Sequence, residues 1–306
     1  MNIFITGGAG DLGILLARAL EANHEVPVRM DVRKPLNADQ GQVIIGSILD
    51  RSLLADSMKD CEMVIHIAAW HGIHLVSQKK NLYDFWDLNV TGTFNVFEEA
   101  AKKGIKKIIY ISSTSIEDRF GIYGHTKVLG EEIARTYHER HNMDVICLRP
   151  SAFIPYWNTD AYKSFDEWAR WYWKGAVHIN DVLQAVMKSL QILEKRSLPV
   201  MPILYVDGKY EYTSKDLASW NDQGSGSSFK KYYSAYATIA DKYGLDKDLK
   251  PIVFDISETK KLLGYSPQYS FLNLLQDLEK YGQQGPPLPK FLKKKNLISR
   301  IELSDF

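Results

Sequence analysis

The chain has 306 residues, 45% of them apolar and 25% charged, a composition that supports a globular core and excludes wholesale disorder. Lys and Arg number 38 against 37 Asp and Glu, so the net charge of +1 gives no ground for a nucleic-acid or anionic-membrane partner. No apolar run approaches the ~18–20 residues of a bilayer span, and residues 1–6 lack the basic start of a secretory signal.

Residues 2–6 read as a first strand that runs straight into Thr6-Gly7-Gly8-Ala9-Gly10-Asp11-Leu12-Gly13, and a helix follows over 11–22. Further strands are expected at 26–30, 43–45, 63–69, 107–112, 145–148 and 202–206, with helices over 83–102 and 123–141. Strands alternating with longer helical patterns imply a doubly wound, parallel α/β sheet of about seven strands. Cys61 and Cys147 fall beside or within strands and are too few for a disulfide framework, which fits reduced thiols in a cytoplasmic protein.

After Pro150 the texture changes. Residues 153–173 are aromatic-rich and irregular, a helix begins near Asn180-Asp181, 221–228 reads as a flexible loop, and 255–265 and 271–281 look helical. The expected division is a dinucleotide-binding domain over 1–150, with contributions from about 177–206, and a small substrate lobe over 151–176 and 207–282. Residues 283–306, with Lys293, Lys294 and Lys295, read as a solvated tail.

The glycine turn suits a pyrophosphate. Gly7 permits the tight turn, Gly10 lets phosphate approach the backbone, and Gly13 lets the helix pack on the sheet. The first helical turn, with Asp11 and Leu12, would face the phosphates with unpaired N–H groups. Asp31 ends the second strand, where a carboxylate accepts ribose hydroxyls and repels a 2′-phosphate, so NAD is preferred over NADP. Arg33 and Lys34 are read as an exposed loop, although they could instead hold that phosphate.

Tyr123 and Lys127 are spaced i to i+4 and share a helix face. A neighbouring ammonium and a cationic nicotinamide favour phenolate, which brings the phenol toward general-base duty. Ser112-Ser113-Thr114-Ser115 ends the fifth strand and offers a hydroxyl for the substrate oxygen. Near the same edge, His71 is a candidate substrate contact, and Arg170 could pair a carboxylate while neighbouring aromatic rings stack on a sugar. The competing reading places those rings in the core of the small lobe. His66 and His178 read as satisfied core histidines, and no spacing suggests a metal site.

Taken together, TGGAGDLG at 6–13, VIHIAA at 64–69, NVTGTFNV at 89–96, ISSTS at 111–115, YGHTK at 123–127, LRPS at 148–151, VHINDV at 177–182 and ISETKKLLGYSP at 256–267 resemble the extended short-chain dehydrogenase/reductase (NAD-dependent epimerase/dehydratase) family. The resemblance implies a Rossmann-like sheet with a small C-terminal substrate lobe, and a homodimer through helices 83–102 and 123–141. It places Ala68 and Ala69 along the cofactor, Asn89 at a helix kink supporting the lysine through water, and Pro150 near the nicotinamide. Ser47-Ile48 stands where the family usually has Asp-Ile beside adenine. Thr114 best matches the catalytic hydroxyl, with Ser113 as the alternative.

Only residues 115–122 separate Thr114 from Tyr123, where nucleotide-sugar members carry a long loop, and the stretch between LRPS and VHINDV is also short. The shortened middle is similar to uronate dehydrogenases, which oxidise a sugar acid without a nucleotide handle. The implied activity is NAD-dependent oxidation or reduction of a small polyhydroxylated substrate. A nucleotide-sugar epimerase or dehydratase with retained NAD, and a non-catalytic dinucleotide sensor, are the two rival readings.

Overall fold

Short runs apolar on both faces must be covered from both sides, which a parallel sheet with crossover helices achieves. The computed structural model describes residues 1–34, 41–76, 79–118 and 121–289, and seven strands among them form that sheet. They are β1 (Asn2–Thr6), β2 (Val26–Asp31), β3 (Gln42–Ile45), β4 (Met63–His66), β5 (Lys107–Ile111), β6 (Asp144–Pro150) and β7 (Ile203–Val206). All pairs are parallel, in the order β3-β2-β1-β4-β5-β6-β7. The winding direction reverses between β1 and β4, which opens a crevice at their carboxyl ends. Thr6 stands beside His66 at that point.

The covering helices include α1 (Asp11–Ala22), which buries Leu12, Leu15, Leu16 and Leu20. The sequence pattern misses α2 (Arg51–Ser57), a short helix whose start is fixed by the Asp50 side chain accepting from the Leu53 N–H at 3.0 Å. Next come α3 (Gly72–Val76), α4 (Leu82–Trp86) and α5 (Thr93–Lys102). The single helix expected over 83–102 is instead α4 and α5 joined by a π-helical stretch, Asp87–Gly92. Finally α6 (Ile122–His141) leads into β6 and ends on Asn142 in the left-handed region.

The chain divides into two compact units. The first holds the sheet and comprises Met1–Ala152, Ile179–Asp207 and Phe254–Pro267. Residues 254–267, assigned above to the small lobe, group with the sheet for clear reasons. The Phe254 N–H and the Tyr265 hydroxyl both donate to Asp207, and the Thr259 hydroxyl donates to the Tyr205 carbonyl. The helix there spans Ser257–Leu263; at its start the Ser257 N–H donates to the Asp255 side chain, and Gly264 ends it at φ 63°.

The second unit comprises Phe153–His178, Gly208–Val253 and the residues from Gln268 onward. Its core is built from Phe165, Trp168, Tyr172, Trp173, Tyr233, Phe271 and Leu274, so most of the aromatic segment is lobe core. Buried indoles keep a partner, as buried N–H groups must: Trp168 donates to the Ile154 carbonyl and Trp173 to that of Asp246, both at 2.8 Å. Residues 221–228 are not one loop. Helices Ser214–Gln223 and Ser227–Tyr232 leave a short link in which Gly224 and Gly226 take positive φ. The Thr213/Asp216 capping box was the overlooked signal. The described part of the tail meets this unit, where the Tyr156 hydroxyl donates to the Pro287 carbonyl. Lys293, Lys294 and Lys295 lie outside the described residues.

Candidate active site

The glycine turn closes directly on β4. Gly7 has φ 73°, and a Cβ there would stand 3.0 Å from the Ala68 nitrogen; one on Gly13 would stand 2.4 Å from the Gly7 carbonyl. Gly10, in contrast, faces outward, with only the Gly7 carbonyl at 3.3 Å and an Arg33 nitrogen at 4.0 Å. The first turn of α1, through Asp11, Leu12 and Gly13, has no intrahelical acceptor for its N–H groups. This cradle fits a dinucleotide pyrophosphate.

Asp31 lies over the turn. One carboxylate oxygen accepts from the Ala9 N–H at 3.0 Å, and the other accepts from the backbone and side chain of Arg33. Carboxylate oxygens accept several bonds each, so capacity for ribose hydroxyls is left. Arg33 therefore lies against Asp31, where a half-exposed ion pair adds little stability. Ser47 and Ile48 follow β3. Ile48 is buried against Gly92, its carbonyl accepts from Asn95, and the Ser47 hydroxyl accepts from the Leu49 N–H. Pro150 is buried at the end of β6. Ala68 and Ala69 are half-buried at the end of β4.

Tyr123 opens α6 against the loop after β5. Gly124 makes that approach possible, since a Cβ there would strike the Ser115 carbonyl at 2.1 Å. The Ser113 hydroxyl bonds to that of Ser115 at 3.1 Å, and its influence on the phenol favours the ionised form. Thr114, the hydroxyl favoured from the resemblance, opens a 3-10 turn, Thr114–Glu117. Burial pushes the phenol up to about 12, with Ser113 pulling the other way.

Lys127, one turn along α6, donates from Nζ to the Ile111 carbonyl at 2.7 Å. Its Nζ lies 5.1 Å from the centre of the Tyr110 ring and 5.9 Å from that of Tyr123. Burial brings the ammonium down to about 8, opposed by Cys147 and Glu131. Asn89 sits within the π-helical stretch, Asp87–Gly92. Its amide exchanges bonds with both backbone groups of Trp70 at 2.8 Å and donates to the Thr126 hydroxyl at 3.0 Å.

A profile of the NAD dependent epimerase/dehydratase family matches residues 3–167. The chain belongs to that family. It is similar to the L-arabinose 1-dehydrogenase (NAD(P)(+)) of Haloferax volcanii, 25% identical over 48% of this chain and 65% of that protein. It is also similar to the uronate dehydrogenase of Pseudomonas putida, 25% identical over 50% of this chain and 62% of that protein. The matches therefore span less than two thirds of these relatives' lengths. Among solved structures, UDP-glucuronic acid 4-epimerase from Bacillus cereus, in complex with UDP-glucuronic acid and NAD, has the same fold. Its TM-score is 0.68 at 22% identity, over 92% of this chain and 98% of that one.

Within this family member, sequence reading passed over a buried ion pair behind the lysine. The Ser112 hydroxyl donates to Glu131 at 2.5 Å, and Arg149 reaches both oxygens of that carboxylate, at 2.8 and 2.5 Å. The available signal was Glu131 at i+4 from Lys127, together with the arginine of LRPS. His71 follows β4 and stays neutral, brought down to about 3 by burial, then by His74, Lys127 and Arg33. It therefore shares an electrostatic neighbourhood with Lys127. Arg170 lies in the second unit, where its guanidinium is occupied by Asp166 at 2.8 Å and the Tyr243 carbonyl at 3.1 Å. That pairing gives no support to a substrate-carboxylate role.

Proposed function

We propose that the protein is an NAD-dependent oxidoreductase acting on an alcohol or carbonyl of a small polyhydroxylated substrate, such as a sugar or sugar acid. The observation that carries this reading is Tyr123, packed against the loop of Ser113 and one turn from a buried Lys127, at the same sheet edge as the glycine turn. Bound NAD supplies the hydride acceptor. Ser113 orients the substrate oxygen, and Tyr123 takes its proton in oxidation or returns it in reduction. The Lys127 ammonium favours phenolate at the moment of transfer and can hold the nicotinamide ribose. Asp31 accepts the adenosine ribose hydroxyls and disfavours a 2′-phosphate, hence NAD over NADP.

Short connections over 115–122 and between LRPS and VHINDV leave little chain to grip a nucleotide diphosphate, and the similarity to sugar and uronate dehydrogenases points the same way. The test is NADH formation across sugars, uronic acids, polyols and nucleotide sugars. Turnover of a free sugar or sugar acid is expected. Interconversion of a nucleotide sugar on retained NAD, with no net NADH, would replace this reading by the epimerase one.

Assembly follows from the surface of α4 and α5. Leu82, Tyr83, Trp86 and Phe94 are exposed, Tyr83 by 81%, and such an apolar stripe on paired helices suits a homodimer built with α6. Sedimentation should give a dimer, and Trp86→Glu should shift it to monomer. Among the described residues no helix is long and apolar enough to cross a membrane, and both cysteines are buried and free, which suits the cytoplasm.

A further inference from the structure

We propose that His66 is a positioning residue: as its Nε2–H tautomer it ties the glycine turn to the start of α6 through Thr93 and Asn89. This rests on the reading of Tyr123 as the proton-transfer group. The direction of every bond follows from counting hydrogens. The Ile67 and Ala68 N–H groups both donate to Thr6 Oγ1 at 3.1 Å, so the single Thr6 hydroxyl hydrogen goes to His66 Nδ1 at 2.6 Å. Nδ1 is then an acceptor, and Nε2 carries the hydrogen and donates to Thr93 Oγ1 at 2.9 Å. Thr93 passes its own hydrogen to the Asn89 carbonyl at 2.7 Å. The Asn89 amide donates to Thr126 Oγ1, which donates to the Tyr123 carbonyl at 2.9 Å.

The side chains in this chain of bonds are sealed from water: Thr6, His66, Asn89, Thr93 and Thr126 are each at most 1% exposed. Buried polar groups without a partner are costly, so the network has one satisfied arrangement rather than several. The His66 ring is stacked on Tyr110 at 5.6 Å, which fixes its plane. Burial, with Lys127 adding repulsion, keeps the imidazole neutral down to about pH 3. An imidazolium would present two donors and reverse the Thr6 bond. At one end the same Thr6 hydroxyl sets the Ala68 backbone against which Gly7 turns; at the other, the chain ends on the residue that carries the phenol.

Thr93 separates wiring from packing. Thr93→Val keeps the shape and removes the hydroxyl, whereas Thr93→Ser keeps the hydroxyl and removes a methyl. If the bonds position Tyr123, the valine variant loses about 10- to 100-fold in kcat with KM for NAD changed less than about twofold, and the serine variant is rescued to near wild type. Serine impaired and valine normal would overturn the proposal, as would two unaffected variants. Nitrogen-15 NMR of His66 provides an arm that needs no substrate or valine variant. A hydrogen on Nε2 and none on Nδ1 at neutral pH supports the wiring; Nδ1–H, or both, defeats it. Wild-type protein that turns over nothing would count against the enzymatic reading, while the tautomer still decides the wiring.

Discussion

Lys127 directs its ammonium to the Ile111 carbonyl, 2.7 Å away, and stays 5.9 Å from the centre of the Tyr123 ring. The cation is thus anchored by backbone, one helical turn from the phenol. With the phenol pushed up to about 12 by burial, Tyr123 is a weak acid that must be helped to ionise if it is to accept a proton during oxidation. Tyr123→Phe keeps the ring and removes only the proton carrier. NAD affinity should change less than about twofold, while kcat falls by about 10²–10⁴. Fluorescence titration with the cofactor and steady-state kinetics measure the two separately, and equal activity in the mutant would defeat the assignment.

The neighbouring hydroxyls should differ sharply. Ser113 favours ionisation of the phenol, whereas Thr114 begins the 3-10 turn beyond it. Ser113→Ala should therefore lower kcat by about 10²-fold and Thr114→Val by less than about threefold. The reverse order would restore Thr114 as the orienting group.

This pair also shows what a sequence can hold. The strand–turn–helix around Gly7, Gly10 and Gly13 is legible because each glycine answers a local steric demand, and Tyr123 with Lys127 because i,i+4 spacing is a property of one helix. Ser113 against Thr114 was not decidable, since adjacent residues leaving a strand differ only in how the next turn rotates them. The Glu131–Arg149 pair joins α6 to β6, and no local pattern reports a contact across elements. The π-helical stretch at Asp87–Gly92 was hidden for a similar reason: it is set by Asn89 bonding to Trp70, far outside its own helical period.

Glu131 supports the charge on Lys127, so its removal has a definite sign. Without the carboxylate, the ammonium should titrate below about 8, because burial still opposes it and one opposing influence is gone. Lys127→neutral conversion lies below its ordinary 10.5, so the folded protein loses this proton before the unfolded chain does. Stability from this group therefore rises between pH 8 and 10.5, and Glu131→Gln should widen that window downward. The variant should also lose about 2–4 kcal/mol near neutrality, since Arg149 forfeits its two-point partner. Carbon-13 NMR of the lysine ε-methylene follows the titration, and denaturant melts follow the stability. A midpoint that stays put or rises would remove Glu131 from the electrostatics of the site.

In the proposed function Asp31 sets the choice of cofactor by charge. Its oxygens receive the Ala9 N–H and Arg33, which fixes the carboxylate over the turn where an adenosine ribose would lie. A 2′-phosphate brought there meets a negative charge at close range, worth a few kcal/mol at an effective dielectric of about 20. Asp31→Ala removes that repulsion and the ribose acceptor together, and it releases the Arg33 guanidinium to meet a phosphate. The NAD-over-NADP ratio of kcat/KM should then fall by about 100-fold, through both a weaker NAD and a stronger NADP. The orphaned Ala9 N–H costs about 1 kcal/mol of stability, too little to unfold the domain and obscure the comparison. An unchanged ratio in a folded variant would place the adenosine ribose away from β2, and the glycine turn would then lack the acid that gives it cofactor specificity.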